Sequence, residues 1–229
     1  MSEETPPILW EPPAELVERA QMTRYRRWLE RERGMELADY HAMWRWSVQD
    51  LEGFWRSIWD YFGVQSPEPP GDVLVDRSMP GARWFEGTRV NYAEHLLRGK
   101  PDDRVAILHA SESRELAEMT WGELRELTAR VRAGLVEAGV GRGDRVAAYL
   151  PNIPETLVAF LATAAIGAIW SSCAPEFGAR AVIDRFSQIQ PKLLLAVDGY
   201  RYGTRDIDKR AEVREIAAAL PTVERTVML

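Results

Sequence analysis

The rhythm of apolar and polar positions changes near Arg98. Up to that point the chain is rich in tryptophan and in helical spacing, and it holds little that reads as strand. Pro12 and Pro13 stand where a helix can begin, and the helical pattern runs on to Gly34, a C-terminal stop. Ser47 followed by Asp50 has capping-box spacing. Leu51, Phe54, Trp55, Ile58, Trp59 and Phe62 then fall at i, i+3, i+4, i+7, i+8 and i+11, one face of a helix that Gly63 ends. The stretch SPEPPGD, residues 66–72, is a loop by composition.

From Arg104 onward short apolar runs alternate with amphipathic stretches. RVAILH reads as a strand, and Thr120 with Glu123 caps a helix that carries Leu124, Leu127, Val131 and Leu135 and stops at Gly139. DRVAAYL is a strand, PETLVAFLATAAI a helix and AIWSS a short buried strand. A helix through Val182, Phe186 and Ile189 is broken by Pro191. KLLLAV, KRAEVREIAAAL and VERTVML continue as strand, helix and strand. The alternation predicts an α/β fold: a helical N-terminal extension over residues 1–98, then βαβ units over 99–229 forming a mostly parallel, doubly wound sheet. Ligands collect outside the carboxyl ends of such strands, so the loops after AIWSS and KLLLAV are where binding residues are expected. No internal repeat or extended low-complexity segment interrupts this order.

Composition narrows the function classes. The chain has 229 residues, 46% apolar and 28% charged, with a net charge of −6 and Arg and Glu mixed along its length. That suits a globular protein and excludes a basic nucleic-acid footprint. The one cysteine, Cys173, allows no internal disulfide and fits a reducing compartment. His41, His95 and His109 are widely spaced, so no metal site is expected. The start, MSEETPPILWEPP, is acidic and proline-rich, unlike a targeting peptide. The longest apolar run, residues 156–170, falls short of the ~20 residues a membrane helix needs. The expectation is a cytoplasmic protein with no membrane or nucleic-acid partner.

Most motifs have a plain structural reading. In GVGRGDRV the glycines follow a helix and open a strand, the reverse of a phosphate-binding loop, so a helix C-cap and turn is expected. There is no G-x-x-x-x-G-K-[ST], no G-x-S-x-G and no G-x-G-x-x-G after the first strand, which argues against a dinucleotide-binding dehydrogenase. Trp44, Trp46, Trp55, Trp59 and Trp84 read as packing residues. Cys173 has no histidine nearby in sequence to activate it. In SSCAPEFG the backbone N–H groups that open the next helix face the expected ligand edge. Arg201 and Arg205 flank Gly203 in DGYRYGTRDIDKR and offer forked donors for a phosphate, although with Asp206 and Asp208 alongside the stretch reads equally as a solvated, mixed-charge loop.

Several stretches taken together resemble one family. MPGARWFEGTRVNYAEHLL, GVGRGDRVAAYLPNIPETLVAFLATAAIGAIWSS and APEFGARAVIDRFSQIQPKLLLAVD are similar to the leading part of acetoacetyl-CoA synthetases, among the adenylate-forming acyl-CoA synthetases. ILWEP and ADYHAMWRWSVQDLEGFWRSIWDYF resemble the helical extension of that subgroup, and PEFG…DRFSQIQPK resembles the acetoacetate branch. The resemblance implies a two-step ligase. Acid and ATP give an acyl-adenylate and pyrophosphate with magnesium, and coenzyme A thiolate then gives the thioester and AMP. The substrate implied is acetoacetate or a similar short acid. It also implies that residues 99–229 are the first, incomplete α/β subdomain of the large domain, with the remainder of the ligase chain as partner.

The family's Ser/Thr/Gly-rich phosphate loop, its Tyr-Gly-x-Thr-Glu motif, its ribose-binding aspartate and its adenylation lysine have no counterpart here. The expectation is therefore no catalytic residue and an inactive chain. By resemblance, the coenzyme A surface falls on Ala174, Pro175 and Glu176 and on Arg201 and Arg205. Pro175 and Glu176 replace a glycine pair of relatives, and Arg205 requires a one-residue insertion. The other class of function weighed is a stand-alone, non-catalytic scaffold or binding module.

Overall fold

In the computed structural model, residues 8–229 are described, and they form two compact units that divide between Val90 and Asn91. Most of the acidic start read against a targeting peptide, residues 1–7, lies outside the described part. The first unit is helical. Helices α1 (Ala14–Arg19) and α2 (Gln21–Arg33) replace the single helix expected up to Gly34. Ala20, with φ −62° and ψ 144°, is extended and breaks it. Gly34 ends α2 in the left-handed region at φ 62°, where glycine has no Cβ to clash.

The capping expectation needs correction. Helix α3 (Tyr40–Gln49) contains Ser47, whose hydroxyl donates to its own helix at the Trp44 carbonyl. The residue that starts α4 (Leu51–Tyr61) is Asp50, whose carboxylate accepts the Gly53 N–H at 3.0 Å. Tyr25, Leu29, Leu37 and Met43 make a small core, with Trp28, Trp46, Phe54, Ile58 and Tyr61 packed on it. Trp55 meets Trp84 edge-on at 5.9 Å, and Trp59 meets Phe85 at 5.0 Å. Packing is thus what these rings do, although Trp44 remains half exposed. A short antiparallel pair, β1 (Leu74–Asp76) and β2 (Arg83–Trp84), completes this unit.

The second unit carries the sheet. It opens with α5 (Tyr92–Leu97), capped by Asn91. Strand β3 (Val105–Ser111) pairs only with β4 (Arg114–Thr120) in an antiparallel hairpin, not with the parallel sheet as expected. Most of β4 is exposed, so its sequence lacks the apolar alternation that announces a strand. Thr120 and Glu123 form the full capping box of α6 (Trp121–Glu137). Gly139, at φ 86°, closes that helix and turns the chain into β5 (Arg145–Tyr149). Then follow α7 (Pro154–Ile166), β6 (Ile169–Cys173), α8 (Ala179–Ile189), β7 (Leu193–Ala196), β8 (Gly199–Tyr202), β9 (Arg205–Asp208), α9 (Arg210–Ala219) and β10 (Arg225–Met228).

The sheet order is β10-β7-β5-β6, parallel throughout. Successive side chains of a strand point to opposite faces, so each buried strand feeds two cores. Val146, Ala148, Leu193 and Leu195 pack with Leu135, Ala159 and Ala162 from α6 and α7. Ala147, Tyr149, Leu194 and Ala196 pack with Val182, Phe186, Val213 and Ile216 from α8 and α9. Helices on both faces are the doubly wound arrangement expected. Register places Tyr149 opposite both Cys173 and Ala196, and Ala196 opposite Met228, which defines one carboxyl edge.

Candidate functional site

Two segments rise from that carboxyl edge. The first, residues 174–178, joins β6 to α8. The Phe177 N–H donates to the Ala174 carbonyl at 3.1 Å, closing a turn with Pro175 at its second position, where a fixed φ suits it. Pro175 is buried and Glu176 exposed, with no ion pair to Glu176 among the described residues. Tyr149 anchors the turn from below, its hydroxyl 2.7 Å from the Pro175 carbonyl and 2.6 Å from the Phe177 carbonyl. The glycine at the start of α8, Gly178, offers no side-chain cap, so the first N–H groups of the helix carry no such partner.

The second segment, expected as a loop, is a hairpin. Strands β8 and β9 pair antiparallel, with Gly199 opposite Asp208, Tyr200 opposite Ile207, Arg201 opposite Asp206 and Tyr202 opposite Arg205. Gly203, at φ 58°, takes the first position of the two-residue turn that only a glycine enters without strain. Gly199 is required for a different reason: a Cβ there would lie 2.5 Å from the Ile207 carbonyl oxygen.

Register decides what the two arginines can do. Directly opposite residues share a face and neighbours alternate, so Arg201 and Asp206 lie on one face and Tyr202 and Arg205 on the other. The structure does not bring Arg201 and Arg205 together as a clamp. Arg201 grips Asp206 through two bonds, Nε at 2.7 Å and a terminal nitrogen at 3.0 Å. That pairing holds the Asp206 carboxyl below its ordinary range and raises Arg201. Arg210 grips Asp208 in the same way and drives its pKa down to about 2. The Arg201 face borders a cleft of about 790 Å³ in which five carboxylates stand against three guanidinium groups. Such a cleft does not favour a phosphate. Arg205, exposed on the opposite face beside exposed Tyr202, has no ion pair among the described residues.

Directly after the hairpin comes a buried polar group that pattern reading treats as ordinary strand and helix. Lys209, 7% exposed, sits just beyond β9 and donates to Glu212 Oε1 at 3.0 Å. Burial alone would push its pKa down, but the hydrogen bond to the Glu212 carboxylate, helped by the pull of the Tyr149 phenol, outweighs this and holds it above the ordinary value. Burial pushes the Tyr149 phenol up, against the smaller pull of Lys209. A lone lysine at the start of an amphipathic helix is the only hint of this in the sequence, and it does not reveal burial. Burial likewise pushes the Cys173 thiol up, opposed by Arg185, which is the environment of an inert cysteine. No cluster of metal-ligating side chains occurs among the described residues. No helix among them is long and apolar enough to cross a membrane.

Comparison with known proteins places this edge in context. The AMP-binding enzyme family matches residues 93–229, and the acetyl-coenzyme A synthetase N-terminus family matches residues 40–96. An acetoacetyl-coenzyme A synthetase of Rhizobium meliloti is 44% identical over 94% of this chain and 33% of its own length. The acetoacetyl-CoA synthetase of Rattus norvegicus is 40% identical over 97% of this chain and 33% of its own. The solved acetoacetyl-CoA synthetase of Streptomyces lividans superposes with a TM-score of 0.92 at 46% identity, covering 97% of this chain and 35% of that one. The chain thus spans about a third of the length of the curated relatives it matches.

Proposed function

The chain belongs to the family of AMP-binding enzymes, and from that premise we propose that it is the N-terminal part of an acetoacetate–CoA ligase. The reaction is ATP-dependent, joins acetoacetate and coenzyme A to give acetoacetyl-CoA, AMP and pyrophosphate, and uses magnesium in the cytoplasm. What carries this reading is similarity to acetoacetyl-CoA synthetases that runs through both units, over 94% to 97% of the chain. Residues 1–98 are the helical extension of such a ligase and 99–229 the first subdomain of its AMP-binding domain. The 229 residues contribute no catalytic group and do not activate acetoacetate by themselves.

Their contribution is a surface for the 3′-phosphoadenosine end of coenzyme A. Arg205 fits an anion, because its guanidinium is exposed and unpaired among the described residues, and Tyr202 beside it offers an aromatic face. The turn at Ala174, Pro175 and Glu176 and the N–H groups that open α8 border the same carboxyl edge. Arg201 fits only by exchanging Asp206 for a phosphate, which makes it the weaker member.

Acetoacetate-dependent pyrophosphate release tests the reading. The pure 229-residue chain should give none, and release above the no-enzyme control would contradict the proposed division of labour. The reading frame past Leu229 should continue into a glycine-rich Ser/Thr loop. A stop codon there would favour a stand-alone, non-catalytic binding module.

A further inference from the structure

Strand β5 ends on a buried phenol whose oxygen has to find a partner. Tyr149 is 0% exposed, and its ring packs in the core with Val182, Phe186 and Ile216, beneath the 174–178 turn. A phenylalanine would fill that space without burying a hydroxyl, which costs free energy unless it is bonded. The hydroxyl reaches two carbonyls of the turn, that of Pro175 at 2.7 Å and that of Phe177 at 2.6 Å. A phenol carries one hydrogen, so the two carbonyls share it. Burial pushes the phenol's pKa up, which keeps that hydrogen in place at neutral pH.

The backbone alone holds the turn lightly. The last sheet bond below it runs from the Leu150 N–H to the Cys173 carbonyl at 3.1 Å. Within the turn, only the Phe177 N–H donates to a carbonyl, that of Ala174 at 3.1 Å. Tyr149 supplies the rest of the hold, and it also sets a direction. A trans peptide places its C=O and N–H on opposite sides, and the bonds after Pro175 and after Phe177 are both trans. With those two carbonyls drawn down onto the phenol, the N–H groups of Glu176 and Gly178 point the other way, out of the carboxyl edge. Both residues are exposed, and neither N–H has a hydrogen-bond partner among the described residues.

We infer that Tyr149 is a positioning residue: by holding two carbonyls inward it turns the Glu176 and Gly178 N–H groups outward, as a fixed pair of donors for the anionic end of coenzyme A. The ligand named here rests on the functional reading above; the orientation of the two peptide groups does not. The exposed Glu176 carboxylate is free to turn to solvent, so the backbone of that residue, not its side chain, meets the anion. Donors held in place before binding spare the ligand the cost of ordering them.

Hydrogen exchange on the 229-residue chain reads the orientation without any ligand. In the unaltered chain the Glu176 and Gly178 amides should exchange as freely as solvent-exposed ones, and the Phe177 amide more slowly. Protection at Glu176 or Gly178 overturns the orientation. Tyr149→Phe keeps the ring in the core but takes the donor from both carbonyls, which can then swing to water. The Phe177 amide should exchange about tenfold faster in that variant. The carbonyl carbon resonances of Pro175 and Phe177 should move upfield, while those of Ala147 and Ala148 stay. If either change is missing, the anchoring is overturned. If Tyr149→Phe does not fold, the exchange pattern of the unaltered chain decides the matter.

Titration with adenosine 3′,5′-bisphosphate separates this inference from the functional reading. Where the unaltered chain binds it, the Glu176 and Gly178 amide resonances should shift on binding, and Tyr149→Phe should bind about tenfold more weakly. Val146→Ala takes buried apolar contacts from the opposite face of the same strand, and its affinity should stay within about threefold of the unaltered chain. Amide resonances that do not move, unchanged affinity in Tyr149→Phe, or an equal loss in Val146→Ala overturns the positioning role. Free Glu176 and Gly178 amides in a chain that does not bind the nucleotide uphold the orientation and overturn the coenzyme A assignment.

Discussion

Strands β7 and β8 are separated only by Val197 and Asp198, yet they are built on opposite terms. Every residue of β7 is buried, and its side chains alternate between two apolar cores. Strands β8 and β9 lie largely exposed, hold themselves together by cross-strand backbone pairing and by the Arg201–Asp206 pair, and pair with no strand of the sheet. The first kind of strand sets stability; the second displays side chains. Changes in the sheet should therefore move the global unfolding transition, and changes in the hairpin should move local order and binding.

The largest separation is expected from Leu194→Ala. Leu194 is 0% exposed between α8 and α9, and deletion of a buried leucine costs about 2–5 kcal/mol. Urea unfolding followed by circular dichroism should show that loss, and a shift under about 0.5 kcal/mol, the size of a surface change, would break the comparison. Gly199→Ala comes next. Its Cβ would strike the Ile207 carbonyl at 2.5 Å, so the hairpin must splay, at a local cost of about 1–3 kcal/mol. Hydrogen exchange should rise across residues 199–208, while the urea midpoint stays near that of the unaltered chain. A midpoint shift as large as that of Leu194→Ala would show that the hairpin belongs to the core.

The smallest effect is electrostatic. Arg210 holds exposed Asp208 at a pKa of about 2, against an ordinary value of about 3.9. A depressed carboxylate contributes fully above its unfolded pKa, and that contribution is lost as pH falls through the folded one. The Asp208 carboxyl resonance should therefore titrate near pH 2, and ordering around the turn into α9 should weaken between about pH 4 and pH 2. A midpoint near 4 would show that the ion pair with Arg210 does not persist in solution.

The same contrast explains what was legible in the sequence. The buried strands β5 and β7, the Thr120–Glu123 cap and the glycine stops follow from burial and from local backbone rules, while β6, expected to be buried, and β10 are largely exposed edge strands that only their apolar content announces. Strands β4, β8 and β9 carry no apolar run. Hence nothing in the pattern announces β4, β8 and β9, and the apolar run of β3 does not distinguish a hairpin partner from a strand of the parallel sheet. At the start of α4, Ser47 and Asp50 both have cap chemistry, and only the presence of α3 decides for Asp50. The arginines show the limit most clearly. Residues four apart share a face on a helix, but across a two-residue hairpin turn Arg201 and Arg205 fall on opposite faces. Nothing in the sequence alone signals that Lys209 is buried.

On the proposed function, coenzyme A meets the Tyr202–Arg205 face of the hairpin, not the acid-rich face that holds Arg201. Calorimetric titration of coenzyme A into the 229-residue chain and its two single variants tests it directly. A charged hydrogen bond contributes about 1.5–3 kcal/mol, so Arg205→Ala should raise Kd by about tenfold or more, whereas Arg201→Ala should change it by less than about threefold. Equal losses in both variants, or a larger loss in Arg201→Ala, would contradict the account.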